Sequence, residues 1–173
     1  MQPQQLMQPQ ALDDLFLYRI ARLLATAGAP VIRLCEGEFG ITRREWRLLA
    51  LLAEQGGIAS SALAERAQLD RARTSRAVTA LAAKKLVQRS VRAGDARGVE
   101  LGLTDAGRAV VAAVFPRVTA INQRLLSVLT PTEVQALAGV LTRLQQSADQ
   151  LAQTREGPGA DRRRGGRQRT RRS

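Results

Sequence analysis

The stretch RARTSR, residues 71–76, puts Arg71, Arg73 and Arg76 beside Thr74 and Ser75, directly after Asp70. If Asp70 caps a helix, these side chains stand at its N-terminal end. Arginines there can contact guanine edges or phosphates, and the positive end of the helix dipole adds to that attraction. A second stretch, VRAGDARGVEL at 91–101, gathers Arg92, Asp95 and Arg97 around Gly94 and Gly98. This pattern predicts a hairpin tip. An arginine on such a tip can enter a minor groove, where the potential is most negative. A free arginine side chain carries about 2 kcal/mol of rotamer entropy. Asp95 can hold Arg97 in place by a charge-assisted hydrogen bond and spare part of that loss. The plainer alternative is a surface ion pair worth roughly 0–1 kcal/mol. Arg89, in the run before the tip, is a further candidate contact.

The distribution of charge supports a polyanionic partner. The chain has 173 residues, 27 of them Lys or Arg and 15 Asp or Glu, a net of +12. Residues 1–69 are neutral overall, 70–103 carry +5, 104–154 carry +1 and 155–173 carry +6. Basic charge concentrated in this way is the footprint of nucleic-acid binding. There is no histidine and a single cysteine, Cys35, so the usual zinc and copper sites and an internal disulfide are not expected. With no Gly-rich phosphate loop and no nucleophile–base cluster, we expect neither an enzyme nor a bound cofactor. Cys35 is either a redox sensor or a plain thiol; nothing beside it guarantees a lowered pKa, which favours the plain thiol.

Helices and one hairpin must position these groups. Aromatic residues are only 3% of the chain, and Ala and Leu dominate, which favours helix over strand. MQPQQLMQPQ, residues 1–10, lacks a basic n-region and an apolar h-region, so it reads as a disordered polar lead and not a secretory signal. Residues 11–27 have helical periodicity, with Leu12, Leu15, Phe16, Ile20, Leu23 and Ala27 on one face. Gly28 and Pro30 are expected to kink or end that helix, with a further helical stretch through Leu34 before the turn EGEFG. Thr42 and Glu45 form a capping box for a helix that Gly56 ends. Ser60 or Ser61 caps a short helix ending near Ala67, and Asp70 caps the next, 71–85. LVQRSVR and VELGL are the two antiparallel strands of the hairpin. Thr104 caps a helix through about Ser127, kinked at Pro116. Thr130, Pro131 and Glu133 start the last helix, which runs to about Gln153. Residues 154–173, rich in arginine, are expected to be disordered. No apolar run approaches the length of a membrane span.

The order helix, short strand, helix, turn, helix, hairpin is that of a winged helix-turn-helix, with Leu63, Leu69, Val78 and Leu81 in a small core. Over residues 11–152 the chain resembles the MarR family of transcriptional regulators. LVQRSVRAGDARGVELGLTDAGR carries the resemblance most specifically. Asp95 and Arg97 match the family's Asp-x-Arg wing, and Leu103, Thr104, Gly107 and Arg108 match its Leu-Thr-x-x-Gly-Arg helix start. FGITRREWRLLALL is similar to the family's second-helix start. Lys85 stands where the family commonly has glycine before Leu-Val, and AGAP interrupts a first helix that is often continuous.

The resemblance implies a mainly α fold with a small β-wing. Residues 41–103 are then the winged helix-turn-helix domain, and 11–37 with 104–153 the helical dimerisation region. The expected function is a cytoplasmic, homodimeric, sequence-specific DNA-binding regulator, a repressor of a pseudo-palindromic operator. Its partners are double-stranded DNA and a second copy of the chain. The alternative is a nonspecific architectural nucleic-acid binder driven by the basic tail. The family also implies a small-molecule effector, a small aromatic or heteroaromatic carboxylate. Arg19 falls inside the apolar stripe of the first helix, between Leu15 and Phe16 at 100° per residue. A cation there needs a partner, either a ligand carboxylate or an acid of the other subunit. Trp46 either stacks on a ligand ring or packs in the core, and Phe39 and Phe115 are further candidates for the pocket wall.

Overall fold

The computed structural model describes residues 3–92 and 95–154, with side chains described for those residues except 3, 92 and 95–98. It divides into two compact units, Met1–Ser127 and Val128–Ser173. The first unit is mainly helical with one small sheet. Helix α1 is Pro3–Met7, α2 is Phe16–Glu38, α3 is Arg43–Glu54, α4 is Ser60–Arg66, α5 is Arg71–Ala83 and α6 is Asp105–Leu126. Strands β1, Ile58–Ala59, β2, Val87–Arg92, and β3, Asp95–Leu103, form an antiparallel sheet in the order β1-β3-β2. Among the described residues no single helix is long and apolar enough to cross a membrane.

The caps explain where most helices begin. The Glu45 amide donates to Thr42 Oγ1 at 3.1 Å, and the Thr42 amide donates to Glu45 Oε2 at 2.7 Å. These two bonds satisfy amides that the first turn of α3 leaves without partners. The Arg73 amide donates to Asp70 Oδ1 at 2.7 Å and starts α5 in the same way. Thr104 Oγ1 does two jobs at the start of α6. It accepts from the Gly107 amide at 3.0 Å and donates to the Lys85 carbonyl at 2.7 Å, so α6 is tied to the turn after α5.

The core lies where α3 crosses the helix-turn-helix and the sheet. Leu48 and Leu49 of α3, Leu63 of α4 and Leu81 of α5 have no exposed surface, and Val78, Leu101 and Leu103 close around them. Leu69 is half-buried at the edge of this cluster. Burying each of these side chains contributes roughly 1.5–3 kcal/mol, which sets the orientation of α5 against α3. In the hairpin, Val87 is opposite Leu103 and Val91 opposite Val99, and the register shifts between Val91 and Arg92.

Several sequence expectations are corrected here. Pro3–Met7 is helical, where the lead was expected to be unstructured. Residues 12–14 form a 3-10 turn, so the first long helix starts at Phe16 instead of residue 11. That helix does not end at Gly28–Pro30; α2 runs through Pro30 and on to Glu38, absorbing part of EGEFG. Pro30 removes one ladder bond, but Gly28, Leu34 and Cys35 are buried on the α2 face that meets the core. The packing of that face offsets the local loss. Helix α6 likewise continues through Pro116. Neither Ser60 nor Ser61 caps α4: its N-cap is Ala59, which is paired with Glu100 in the sheet, so the helix starts directly from β1. Gly57, with φ +61°, takes the left-handed position after α3, and not Gly56. Helix α5 stops at Ala83, and Lys85 adopts the left-handed conformation at φ +57° that a glycine would take more easily.

The second unit contains α7, Pro131–Gln153, started by a capping box in which the Thr130 amide donates to Glu133 Oε2 at 2.8 Å. None of its residues is buried, and Leu141 and Leu151 are 50% and 72% exposed. The arginine-rich tail, residues 155–173, lies outside the described residues.

Candidate functional site

Helix α5 follows α4 across a tight turn, residues 67–70, and presents its N-terminal half outward. Arg71, Arg73, Ser75 and Arg76 are exposed. Thr74 is not: it has no exposed surface, and its hydroxyl donates to the Asp70 carbonyl at 3.1 Å. Its expected role as a DNA contact is therefore withdrawn. Positions 74, 77, 78 and 81 form the inner face of α5, and Thr74 belongs to that face by helical spacing. The three arginines also differ among themselves. Arg73 Nε lies 3.1 Å from Asp70 Oδ2, so Asp70 holds it while capping the helix. Among the described residues no carboxylate pairs with Arg71 or Arg76.

The Asp70 carboxyl lies below the usual aspartate range. The Arg73 amide hydrogen bond is the main cause, and the charges of Arg73 and Arg76 add to it. A depressed folded-state pKa means that the cap's stabilisation is present above the ordinary aspartate value and is lost as pH falls through the lowered one. We expect the difference in thermal midpoint between the native chain and Asp70→Ala to be full at pH 7. It should shrink steadily once pH drops below about 4. Melts across that range check this; a difference independent of pH would show that the carboxylate is not the cap.

Lys84, at the other end of α5, was not singled out in the sequence. Its Nζ donates to Glu45 Oε2 at 2.9 Å, to Glu45 Oε1 at 3.1 Å and to the Gly40 carbonyl at 2.7 Å. Glu45 is 5% exposed. The recognition-type helix is thus pinned to the start of α3 by one charge-assisted cluster, and the core packs between the two helices. Arg89 is exposed on β2. The expected roles of Arg92, Asp95 and Arg97 concern side chains outside those described; the backbone brings Arg92 opposite Asp95 at the end of the β2–β3 ladder.

On another side of α3 is a pocket of about 460 Å3. Leu24, Gly28 and Val31 of α2, Trp46 and Leu51 of α3, and Phe115, Val118, Ile121 and Leu125 of α6 form its wall. The Trp46 and Phe115 rings meet with centroids 6.4 Å apart at 53°. Trp46 is 8% exposed, so it is both a core residue and a pocket wall. The polar groups at this pocket are Arg43, Arg47 and Asn122. Among the described residues neither arginine pairs with a carboxylate. The Arg43 guanidinium lies over α2 where Gly28 has no side chain; a Cβ at Gly28 would fall 2.5 Å from Arg43 Nη1.

Two expected pocket residues are elsewhere. Arg19 is exposed on the N-terminal half of α2, in a shallow hollow with Asp13 and Arg22, and its Nη1 donates to the Asp13 carbonyl at 3.4 Å. The apolar stripe through Leu15 and Phe16 is itself uncovered in this half of the helix, so Arg19 is not a buried cation. Phe39 is half-buried beneath the Arg117 guanidinium, 5.9 Å from its ring centre, and is not part of the pocket wall. The signal for the pocket cations was present in TRREWR. Arg43 precedes Trp46 by three residues and so shares its helix face. Cys35 is fully buried, and burial, with the Glu36 charge adding to it, pushes its thiol up against the opposing pull of Arg43. Such a thiol packs and does not attack.

The family model described as MarR family matches residues 39–98, from the turn before α3 to the wing. The HTH-type transcriptional repressor MdtR of Bacillus subtilis (strain 168) is 31% identical over 110 residues, covering 64% of this chain and 71% of that protein. A MarR-family transcriptional regulator from Silicibacter pomeroyi has a similar crystal structure, with a TM-score of 0.66 and 29% identity over 78% of this chain and 90% of that one. MepR of S. aureus, solved as a DNA complex, is similar with a TM-score of 0.68 and 26% identity, over 77% of this chain and 98% of that one.

Proposed function

The chain belongs to the MarR family, and from that premise we propose that it is a homodimeric DNA-binding repressor of a pseudo-palindromic operator, released when a small aromatic or heteroaromatic carboxylate fills the pocket beside Trp46. The observation that carries the reading is the outward face of α5. Arg71, Arg73 and Arg76 stand exposed beside the turn of a helix-turn-helix, on a helix capped at its start by Asp70 and pinned at its end through Lys84. In this reading α5 enters the major groove, and the hairpin tip with Arg97 reaches the minor groove.

Two uncovered apolar faces support a second copy as partner. The N-terminal half of α2 exposes Leu17 and Leu23 at 78% and 53%, and among the described residues α7 has none that is fully buried. A two-fold dimer covers such faces and presents two α5 helices to half-sites about 10 bp apart. The pocket supports the effector. Its volume of about 460 Å3 suits a single small ligand. The apolar wall would take a ring, and Arg43 and Arg47 would take its carboxylate. Footprinting over the chain's own upstream region tests the function. We expect two protected half-sites that are lost when aromatic acids such as benzoate are added. Uniform protection along the fragment would favour the second reading, a nonspecific architectural binder, for which residues 155–173 with their net of +6 speak.

Arg43 provides a sharper check on the effector. Replacing it removes a charge-assisted bond worth about 1.5–3 kcal/mol. Arg43→Met should weaken benzoate binding tenfold or more by Trp46 fluorescence. Affinity for DNA without ligand should stay within about threefold. Unchanged benzoate binding would place the acid elsewhere.

A further inference from the structure

Arg47 belongs to two places at once. It lines the pocket beside Trp46, and its Nη1 donates to the Ala67 carbonyl at 3.1 Å, twenty residues away. Ala67 is the C-cap of α4 and is 1% exposed. Its carbonyl is one of the orphan acceptors that a helix end leaves, and among the described residues Arg47 is the donor that reaches it. The turn it supports is a demanding one. Gln68 follows at φ +51°, a left-handed conformation that costs a non-glycine residue energy. The Ala67, Gln68 and Leu69 amides bond back to the Leu63, Glu65 and Ala64 carbonyls at 2.9, 2.9 and 3.0 Å. Two residues later Asp70 begins α5. The angle at which α5 leaves α4 is therefore set by a turn that Arg47 braces from the pocket side.

We infer that Arg47 is a positioning residue and that an anion in the pocket competes with the Ala67 carbonyl for its guanidinium. This rests on the effector reading of the pocket given above. The competition is unequal: the Ala67 carbonyl is a neutral acceptor, whereas a carboxylate brings an opposite charge and a second oxygen that can pair with the guanidinium fork. Arg47 is exposed, so its head can swing on a flexible stem without disturbing the core. A carboxylate held between Arg43 and Arg47 then leaves the Ala67 carbonyl without its donor, and the α4–α5 turn loosens. The ligand favours the unbraced turn and DNA favours the braced one, and that difference in preference couples the two sites.

The test is amide hydrogen exchange at Gln68 and Leu69 in the full chain, with Trp46, the chain's one tryptophan, reporting benzoate binding by fluorescence. In the native chain, saturating benzoate should speed exchange at these two amides about tenfold. Arg47→Met without ligand should already exchange at the faster rate, and benzoate should not raise it further. Arg47→Lys, which keeps a donor, should recover part of the protection. The proposal is overturned if benzoate changes Trp46 fluorescence in the native chain while both amides keep their protection. If benzoate leaves Trp46 unchanged at all concentrations, the effector reading fails and takes this inference with it. Slow exchange in ligand-free Arg47→Met would show that the brace does not hold the turn, whatever the ligand does.

Discussion

Gly107→Ala is expected to cost the first unit about 3 kcal/mol or more and to lower its thermal midpoint by over about 10 °C. A Cβ at Gly107 would sit 2.1 Å from the Leu86 carbonyl oxygen and 3.0 Å from its carbon, with Leu103 Cδ2 at 3.3 Å. The obstructing atoms are backbone, so no rotamer change relieves the clash. That carbonyl already accepts from the Thr104 amide at 3.1 Å, and Thr104 Oγ1 bonds both Lys85 and Gly107. Any retreat by α6 breaks these bonds and pulls on the turn that ends α5. Gly37→Ala is the matched control. Gly37 is also helical, but nothing stands within 4 Å of its added Cβ, so alanine there should be neutral or stabilising by up to about 1 kcal/mol. Far-UV circular dichroism melts of the two variants decide it. A midpoint for Gly107→Ala within about 2 °C of the native value would mean that the close approach of α6 to the turn does not matter.

The double substitution Arg71→Ala, Arg76→Ala is expected to abolish most operator binding without touching the fold. Each arginine that reads a base edge contributes about 1–3 kcal/mol. Together the pair should weaken binding by roughly two to four orders of magnitude. Both side chains are exposed and neither pairs with a described carboxylate, so the melt should be unchanged within about 0.5 kcal/mol. Arg73→Ala should cost less, because Asp70 already holds that guanidinium at 3.1 Å. Fluorescence anisotropy with an operator duplex measures all three variants. Operator affinity within about threefold of native in the double variant would remove α5 from the reading face.

What was legible in the sequence was chemistry that acts over three or four residues. Thr42 with Glu45, Asp70, Thr104, and Thr130 with Glu133 each cap the helix they were expected to cap, because donor and acceptor are fixed by local spacing. The hairpin was legible from two strand-like runs around glycines. The continuity of α2 through Pro30 was not. A local rule predicts a break, and the compensating burial of Leu34 and Cys35 is a tertiary fact. Arg19 was misplaced for a related reason. Periodicity identifies the apolar face of a helix but not which half of that face its own chain covers. The pocket joins α2, α3 and α6, and Lys84 meets Glu45 across thirty-nine residues, so neither leaves a trace in local spacing. Thr74 shows the converse: it has the right residue type for a DNA contact, but it lies on the inner face.

The central claim is that the folded winged domain, and not the basic tail, reads DNA sequence. The ratio of affinities for the footprinted operator and a scrambled duplex of equal length tests it most directly, measured for the full chain and for a chain ending at residue 154. We expect the full chain to prefer the operator by about 1,000-fold or more. The shortened chain should keep that ratio while binding both duplexes more weakly and with a flatter salt dependence. A ratio near one in the full chain, or one that collapses when residues 155–173 are removed, would contradict the account.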